Sequence, residues 1–229
     1  MEYPHNRPYT ADDLVRIITL LRDPVNGCPW DKVQTHTSIR MNFLEEAYEA
    51  VDALDLDDPV LMCEELGDVL MQVAFHTCME QETGRFTWEQ VCDGVCQKLI
   101  ERHPNIFGTQ PGYEGITDWD ALKNKEKGRR TLADDLESVP RAMPALMRAA
   151  KLQKRAARHG AALQGADAVA LADAAENLQT AQPASAQAEQ AVGELLFAAA
   201  NLARQAGVDP EQALQKANEA FCTATGPVA

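Results

Sequence analysis

The chain has 229 residues, 45% of them hydrophobic and 24% charged, the make-up of an ordinary folded protein with room for one or two cores. Its net charge of −14 excludes nonspecific binding to nucleic-acid backbones, which needs a positive surface. No stretch approaches the roughly eighteen apolar residues of a membrane span, and the opening MEYPHNRPYT lacks the apolar core of a signal peptide, so a cytoplasmic protein without membrane contact is expected. The six cysteines (Cys28, Cys63, Cys78, Cys92, Cys96, Cys222) form no C-x-x-C pair. Most fall on apolar helical faces, which reads as reduced core thiols rather than disulfides or zinc ligands.

Thr10 and Asp13 bracket a helix start of the capping-box type, with Asp where Glu is usual. Leu14, Ile17, Ile18 and Leu21 then make an i, i+3, i+4, i+7 stripe that Asp23-Pro24 ends. Asn26-Gly27 and Pro29 set an irregular loop carrying Trp30, a side chain suited either to plug the helices below or to wall a base-binding site. Lys32, in the same loop, is a lone cation that water or a phosphate can satisfy.

Residues 41–84 contain twelve Asp and Glu and no Lys or Arg. At about 100° per residue, Phe43, Ala47, Ala50, Val51 and Leu54 form one apolar stripe, with Glu46 and Glu49 at its edge and Glu45 just beyond. Val60 to Met79 is apolar around much of its circumference, so a largely buried helix is expected, with Glu64, Glu65, Asp68 and Gln72 on its polar strip. Between the two helices Asp58 is placed to cap and Pro59 to open the second. A turn this short makes the helices antiparallel neighbours, and Glu46, Glu49, Glu65 and Asp68 then converge. Two carboxylates about 4 Å apart repel by roughly 4 kcal/mol at an effective dielectric of 20. No basic side chain in the segment offsets that, so a bound hard cation with oxygen ligands, Mg²⁺ or Mn²⁺, is the expected counter-charge.

Gly84 ends the second helix and Thr87 caps a third, Trp88 to Arg102, with Val91, Val95 and Leu99 facing inward. Lys98 and Arg102 lie one turn apart, and on the residues alone surface pairing with Glu101 leads over phosphate contact. The segment 105–115 is a Gly- and Pro-containing loop, followed by a short helix with Trp119, Lys123 and Lys127. The stretch 132–144, with Pro140 and Pro144, marks a boundary. Beyond it the chain echoes its first half: GELLFAAANLARQAG (193–207) parallels GDVLMQVAFHTCMEQETG (67–84), and EQALQKANEAF (211–221) parallels EQVCDGVCQKL (89–99). In this register Ala172 and Asp173 stand opposite Glu45 and Glu46, and Glu176 opposite Glu49. Ala191 stands opposite Glu65, Glu194 opposite Asp68, and Ala220 and Ala224 replace Lys98 and Arg102.

EEAYE (45–49) followed by EELGD (64–68) resembles the EExxE…ExxD signature of MazG-type nucleoside triphosphate pyrophosphohydrolases. NGCPWDKVQTHTS (26–38) and KLIERHPNIFG (98–108) are similar to flanking motifs of the same family, and the likeness runs from about Leu14 to Lys127. The resemblance implies an all-α fold of two tandem modules, the second degenerate, with a catalytic domain over 8–130, a linker over 131–144 and a structural or dimer-forming module over 145–229. It implies Mg²⁺-dependent cleavage of (d)NTPs to the monophosphate and pyrophosphate in nucleotide-pool house-cleaning, with Mn²⁺ as a substitute metal, by a homodimer. Glu46, Glu49, Glu65 and Asp68 would be the ligands, and Glu45 would orient or deprotonate water. Lys98, Arg102 and Lys123 would meet phosphate, and Trp119 or Trp30 the base. Two rival readings stand beside it. One is a narrower pyrophosphatase for dUTP, dCTP or phosphoribosyl-ATP on the same fold. The other is a helical protein that binds metal or nucleotide without catalysis.

Overall fold

The computed structural model describes residues 2–5, 7–104, 106–108 and 126–226, and among them every regular element is helical. The chain divides into two compact units, Met1–Ile116 and Thr117–Ala229.

In the first unit the capping box at Thr10 is formed, Thr10 Oγ1 accepting from Asp13 N at 3.2 Å while Thr10 N donates to the Asp13 carboxylate at 2.9 Å. It opens α1 (Ala11–Leu21). A single 3₁₀ turn (Asp31–Val33) interrupts the loop to α2 (Arg40–Leu56). Asp57 adopts the left-handed conformation at φ 53°, which ends α2 and reverses the chain within two residues. Asp58 then caps α3 (Pro59–Glu82), its Oδ1 accepting from Val60 N at 2.9 Å and Leu61 N at 3.2 Å, with proline at the first helical position where no amide donor is needed. Gly84 turns the chain at φ 69°, and Thr87 caps α4 (Trp88–Arg102) through a capping box with Gln90.

Helix α3 is the axis of this unit, since α1, α2 and α4 all pack on it. The core gathers around its C-terminal half, where Ala74, Phe75, Cys78 and Met79 meet Ile18, Ile39 and Trp88. The first three turns of α3 differ from expectation. Val60, Leu66 and Leu70 are exposed, because the core cluster gathers on the other half of the helix. The buried stripe of α2 is also rotated from the predicted one: Ala50 and Ala53 are buried, whereas Val51 and Leu54 are exposed. Of the cysteines only Cys78 is fully buried, while Cys63, Cys96 and Cys222 are exposed, so half of them are not core residues.

The loop from Arg22 to Ile39 is tied down by one buried guanidinium. Arg22 donates through Nε and Nη2 to the Glu82 carboxylate at 2.5 and 2.8 Å, through Nη1 to Asp31 O and Gln34 O, and lies over the Phe75 ring at 5.2 Å. Gly27 is where this loop passes closest to α1: a Cβ there would sit 2.4 Å from both Asp23 O and Leu21 O.

The second unit contains α5 (Leu132–Glu137), α6 (Ala145–Arg158), α7 (Ala168–Thr180), α8 (Ala186–Gln205) and α9 (Pro210–Thr225). Helices α7 and α8 form an antiparallel pair, and Ala174 on α7 with Ala191, Ala198 and Ala200 on α8 are buried, small residues that let neighbouring helices approach closely. Helix α6 joins α8 by the Gln153 Nε2 bond to Phe197 O at 2.7 Å. Residues 131–144 carry α5, which packs on α6 through a buried ion pair. Asp135, 1% exposed, accepts from Arg155 Nη1 at 2.8 Å and lies 3.2 Å from His159 Nε2 and 3.8 Å from Arg158 Nη2. Arg155 Nη1 also bonds to Asp135 O and Ser138 Oγ.

Two predictions follow from these anchor points. Gly27→Ala forces two backbone carbonyls aside and is expected to lower the melting temperature by the equivalent of roughly 1–3 kcal/mol of overpacking; melting at the parent temperature would refute the close approach. Asp135→Ala leaves a buried guanidinium without its carboxylate and is expected to cost about 3–5 kcal/mol in urea unfolding followed by circular dichroism. An unchanged midpoint would show that the pair holds nothing.

Candidate active site

Glu46 continues the stripe that buries Ala50 and Ala53, four and seven residues further along α2. It therefore enters the α2–α3 seam rather than standing at its edge, and is half-buried. Glu49, one turn on, is exposed, and Glu65 reaches the same point from α3. Each of the three offers a carboxylate oxygen within 4.8 Å of the others, and among the described residues no other such group of three exists. At that spacing two like charges repel by roughly 3 kcal/mol, less where water screens the exposed Glu49.

The cost appears in the protonation of the carboxyls. Burial raises the pKa of Glu46 above its usual range, and the charges of Asp68 and Glu49 raise it further against the opposing hydrogen bond from Gln72. Glu65 is raised by desolvation, then by Glu49, Glu64 and Asp68. Asp68 is thus coupled electrostatically to both Glu46 and Glu65 from one turn along α3. Four carboxylates on two helices, with oxygen as the sole donor atom and two of them resisting ionisation, fit a hard divalent cation, whose charge reverses the repulsion.

Gln72 was placed on the polar strip by the sequence, but its part was not foreseen. It is 7% exposed, its Nε2 lies 3.4 Å from Glu46 Oε1, and its own Oε1 is buried without a partner. One and two turns further along the same strip stand His76 and Glu80. His36, from the loop before α2, stacks on His76 with 5.0 Å between ring centroids and 2.7 Å between the Nδ1 atoms. The other nitrogen of His36, Nε2, lies 2.5 Å from Glu80 Oε1. Arg85 closes the cluster on the Glu80 carboxylate at 2.6 and 2.7 Å, and Phe43 covers His76. With His36 Nε2–H donating to Glu80, His36 Nδ1 is left to accept the proton on His76 Nδ1. His36 and His76 lie forty positions apart, so only the tertiary approach joins them. The i, i+4 spacing of His76 and Glu80 is the one local sign.

Other expected site residues stand as follows. Glu45 is exposed, one position before Glu46. Trp30 is 56% exposed, which rules out the core-plug reading; its carbonyl accepts from Gln34 Nε2 at 2.9 Å. Lys32 lies 3.5 Å from Pro24 O. Lys98 is exposed and Arg102 half-buried in the last two turns of α4. No ion pair or hydrogen bond links Trp30 or Lys98 to the carboxylate group among the described residues. Trp119 and Lys123 lie outside the described residues. In the second unit Asp173, Glu176 and Glu194 are exposed and Ala191 is buried.

The pattern of the MazG nucleotide pyrophosphohydrolase domain matches residues 34–107, the interval that contains the carboxylate group. A nucleoside triphosphate pyrophosphohydrolase of Escherichia coli is 41% identical over 92% of this chain and 83% of its own length. The chain belongs to the MazG family. A nucleoside triphosphate pyrophosphohydrolase/pyrophosphatase of Thermotoga maritima is 39% identical over 92% of this chain and 82% of its own. One from Mycobacterium tuberculosis is 34% identical over 66% of this chain and 46% of its own. The likeness to the first two MazG relatives covers both units, whereas the domain pattern covers only the first.

The histidine cluster carries a prediction. Burial lowers the pKa of His76 below its ordinary 6.5, the charge of His36 adds to this, and Glu80 opposes it. The unfolded chain therefore binds this proton more readily, so stability is full above 6.5 and lost as pH falls below it. Melting temperature is expected to fall on acidification through that window, and less steeply in His76→Phe. Equal slopes in parent and variant would dismiss His76 as the titrating group.

Proposed function

We propose that the chain hydrolyses nucleoside triphosphates to the monophosphate and pyrophosphate, through a divalent cation held by Glu46, Glu49, Glu65 and Asp68. The observation that carries this reading is the convergence of three of these carboxylates within 4.8 Å, inside the segment that matches the MazG domain. The names of the Escherichia coli and Thermotoga maritima relatives support the same activity. Magnesium, or manganese in its place, would supply the counter-charge for the triphosphate and acidify an attacking water.

The chain's own side chains provide the rest. Burial and the neighbouring carboxylates raise the pKa of both Glu46 and Glu65, and a bound cation would offset that repulsion and favour both as carboxylate ligands. Gln72 Nε2 fixes one oxygen of Glu46 and leaves the other free to ligate. Glu45, exposed beside the ligand set, takes the proton of the water or orients it. Lys98 and Arg102 spread positive charge over the phosphates, and Lys123 adds to it. Trp30 or Trp119 stacks on the base.

The same reading assigns catalysis to residues 8–130 and leaves 145–229, beyond the 131–144 segment, as a degenerate module that supports dimer formation. A homodimer is favoured by the apolar side chains that the first unit exposes, Leu66 and Leu70 on α3 with Val95 and Leu99 on α4. The cellular task that suits the activity is house-cleaning of the cytoplasmic nucleotide pool.

Pyrophosphate release from the common ribo- and deoxyribonucleoside triphosphates, with magnesium and with EDTA, tests the proposal. Metal-dependent release is expected for several bases, and Glu49→Gln is expected to abolish it with the helical signal retained. Undiminished turnover in Glu49→Gln would remove the ligand assignment, and no release from any triphosphate would remove the activity.

A further inference from the structure

The acidic hairpin has a counterpart of opposite sign. Between Glu137 and Asp167 there is no Asp or Glu, while Arg141, Arg148, Lys151, Lys154, Arg155 and Arg158 fall in that interval. Five of these six cations lie on α6. Arg155, Arg158 and His159 turn to the single buried carboxylate of Asp135, which takes up one side of the helix.

Lys151 and Lys154, with Arg155 beside them, line a further space. Together with Met143, Met147, Arg204 and the turn 207–210 they border a cavity of about 550 Å³ within the second unit. Lys151 is half-buried and Lys154 exposed, and among the described residues neither forms an ion pair. Arg204 is held by its Nε bond to Asn201 Oδ1 at 2.9 Å, a neutral partner that leaves its charge uncompensated. Asp209 is the one carboxylate on the border. Its Oδ1 is engaged in capping α9, accepting from Glu211 N and Gln212 N at 3.0 Å each.

The cavity thus presents four cations from two helices, Arg155 paired with Asp135 and Lys151, Lys154 and Arg204 not, beside an apolar wall of Met143, Met147, Val208 and Pro210. Its volume lies in the range that encloses a small organic ligand. Methionine side chains adapt to flat apolar groups, and ammonium and guanidinium groups hold phosphate oxygens by charge-assisted hydrogen bonds. We propose that this cavity binds a nucleoside polyphosphate without a metal ion, its phosphates between Lys151, Lys154 and Arg204 and its base against the methionines. The cavity's lining shares no residue with the carboxylate group of the first unit. It differs from it in chemistry too, because protein cations here do what a divalent cation would do there.

That difference supplies the test. Calorimetric titration of the full chain with ATP in excess EDTA is expected to show a single binding event per chain that weakens as salt is raised. Glu49→Gln should leave it unchanged. The double variant Lys151→Gln, Lys154→Gln should weaken it at least about tenfold with circular dichroism and melting temperature like the parent's, and Arg204→Ala should weaken it independently. Absence of binding in EDTA would overturn the proposal, as would binding that the lysine variant leaves intact. Inorganic triphosphate is expected to bind more weakly than ATP, and equal affinity would overturn the part assigned to the base. Pyrophosphate release in magnesium is read separately, so failure here and failure of the catalytic reading are distinguishable.

Discussion

The close packing of α2 on α3 is the constraint from which the first unit follows. Ala50 and Ala53 on α2 are buried, and their small side chains permit the approach. The two-residue reversal at Asp57 and Asp58 fixes the register by combining a left-handed residue with an N-cap. Once that register is set, Glu46 has no choice of environment: it occupies the next position of the stripe that buries the alanines. A carboxylate in a helix–helix seam is unfavourable for stability, since burial and its acidic neighbours both oppose its charge. Such a violation of packing rules is expected where a ligand restores the balance.

The polar strip of α3 extends this logic along the helix. Glu65, Asp68, Gln72, His76 and Glu80 follow one another at spacings of three or four residues, so one face carries the carboxylate group at one end and the histidine cluster at the other. Gln72 bonds to Glu46, and Glu80 bonds to His36 and Arg85. The loop that carries Trp30 and Lys32 is thereby fastened to the helix that presents the carboxylates. Its second fastening, Arg22 on Glu82, lies half a turn beyond Glu80. Rigid support of this kind is what a site on helices needs if its loops are to meet a ligand in a fixed position.

Much of this was legible in the sequence because it depends on local chemistry. Thr10, Asp58 and Thr87 mark three helix starts by residue type alone, and the absence of Lys and Arg from 41–84 announces a concentration of negative charge. The rotation of the α2 stripe was not legible, because Phe43, Val51 and Leu54 outweigh Ala53 on any hydrophobicity scale, although close packing selects the alanine. Exposure of Leu66 and Leu70 was hidden for the complementary reason: periodicity records which residues are apolar and not on which half of the helix the core gathers. The histidine cluster was invisible because His36 and His76 meet only in three dimensions. Helix α5 was not legible because its capping box, Thr131 with Asp134, opens a helix of only six residues before a proline-punctuated stretch.

The second unit shows what an α-helical pair looks like when the demand for charge is lifted. Helices α7 and α8 repeat the antiparallel packing, with Ala174, Ala191, Ala198 and Ala200 buried, and no carboxylate group like that of the first unit occurs there among the described residues. By the sequence register, Ala191 takes the place of Glu65, and it is 2% exposed. The acidic side chains that remain, Asp173, Glu176 and Glu194, are solvated, where a charge costs little. Alanine therefore satisfies the seam without a buried charge, and packing alone does not account for Glu46 and Glu65 in the first unit. Their place there accords with the cation-binding role proposed for them.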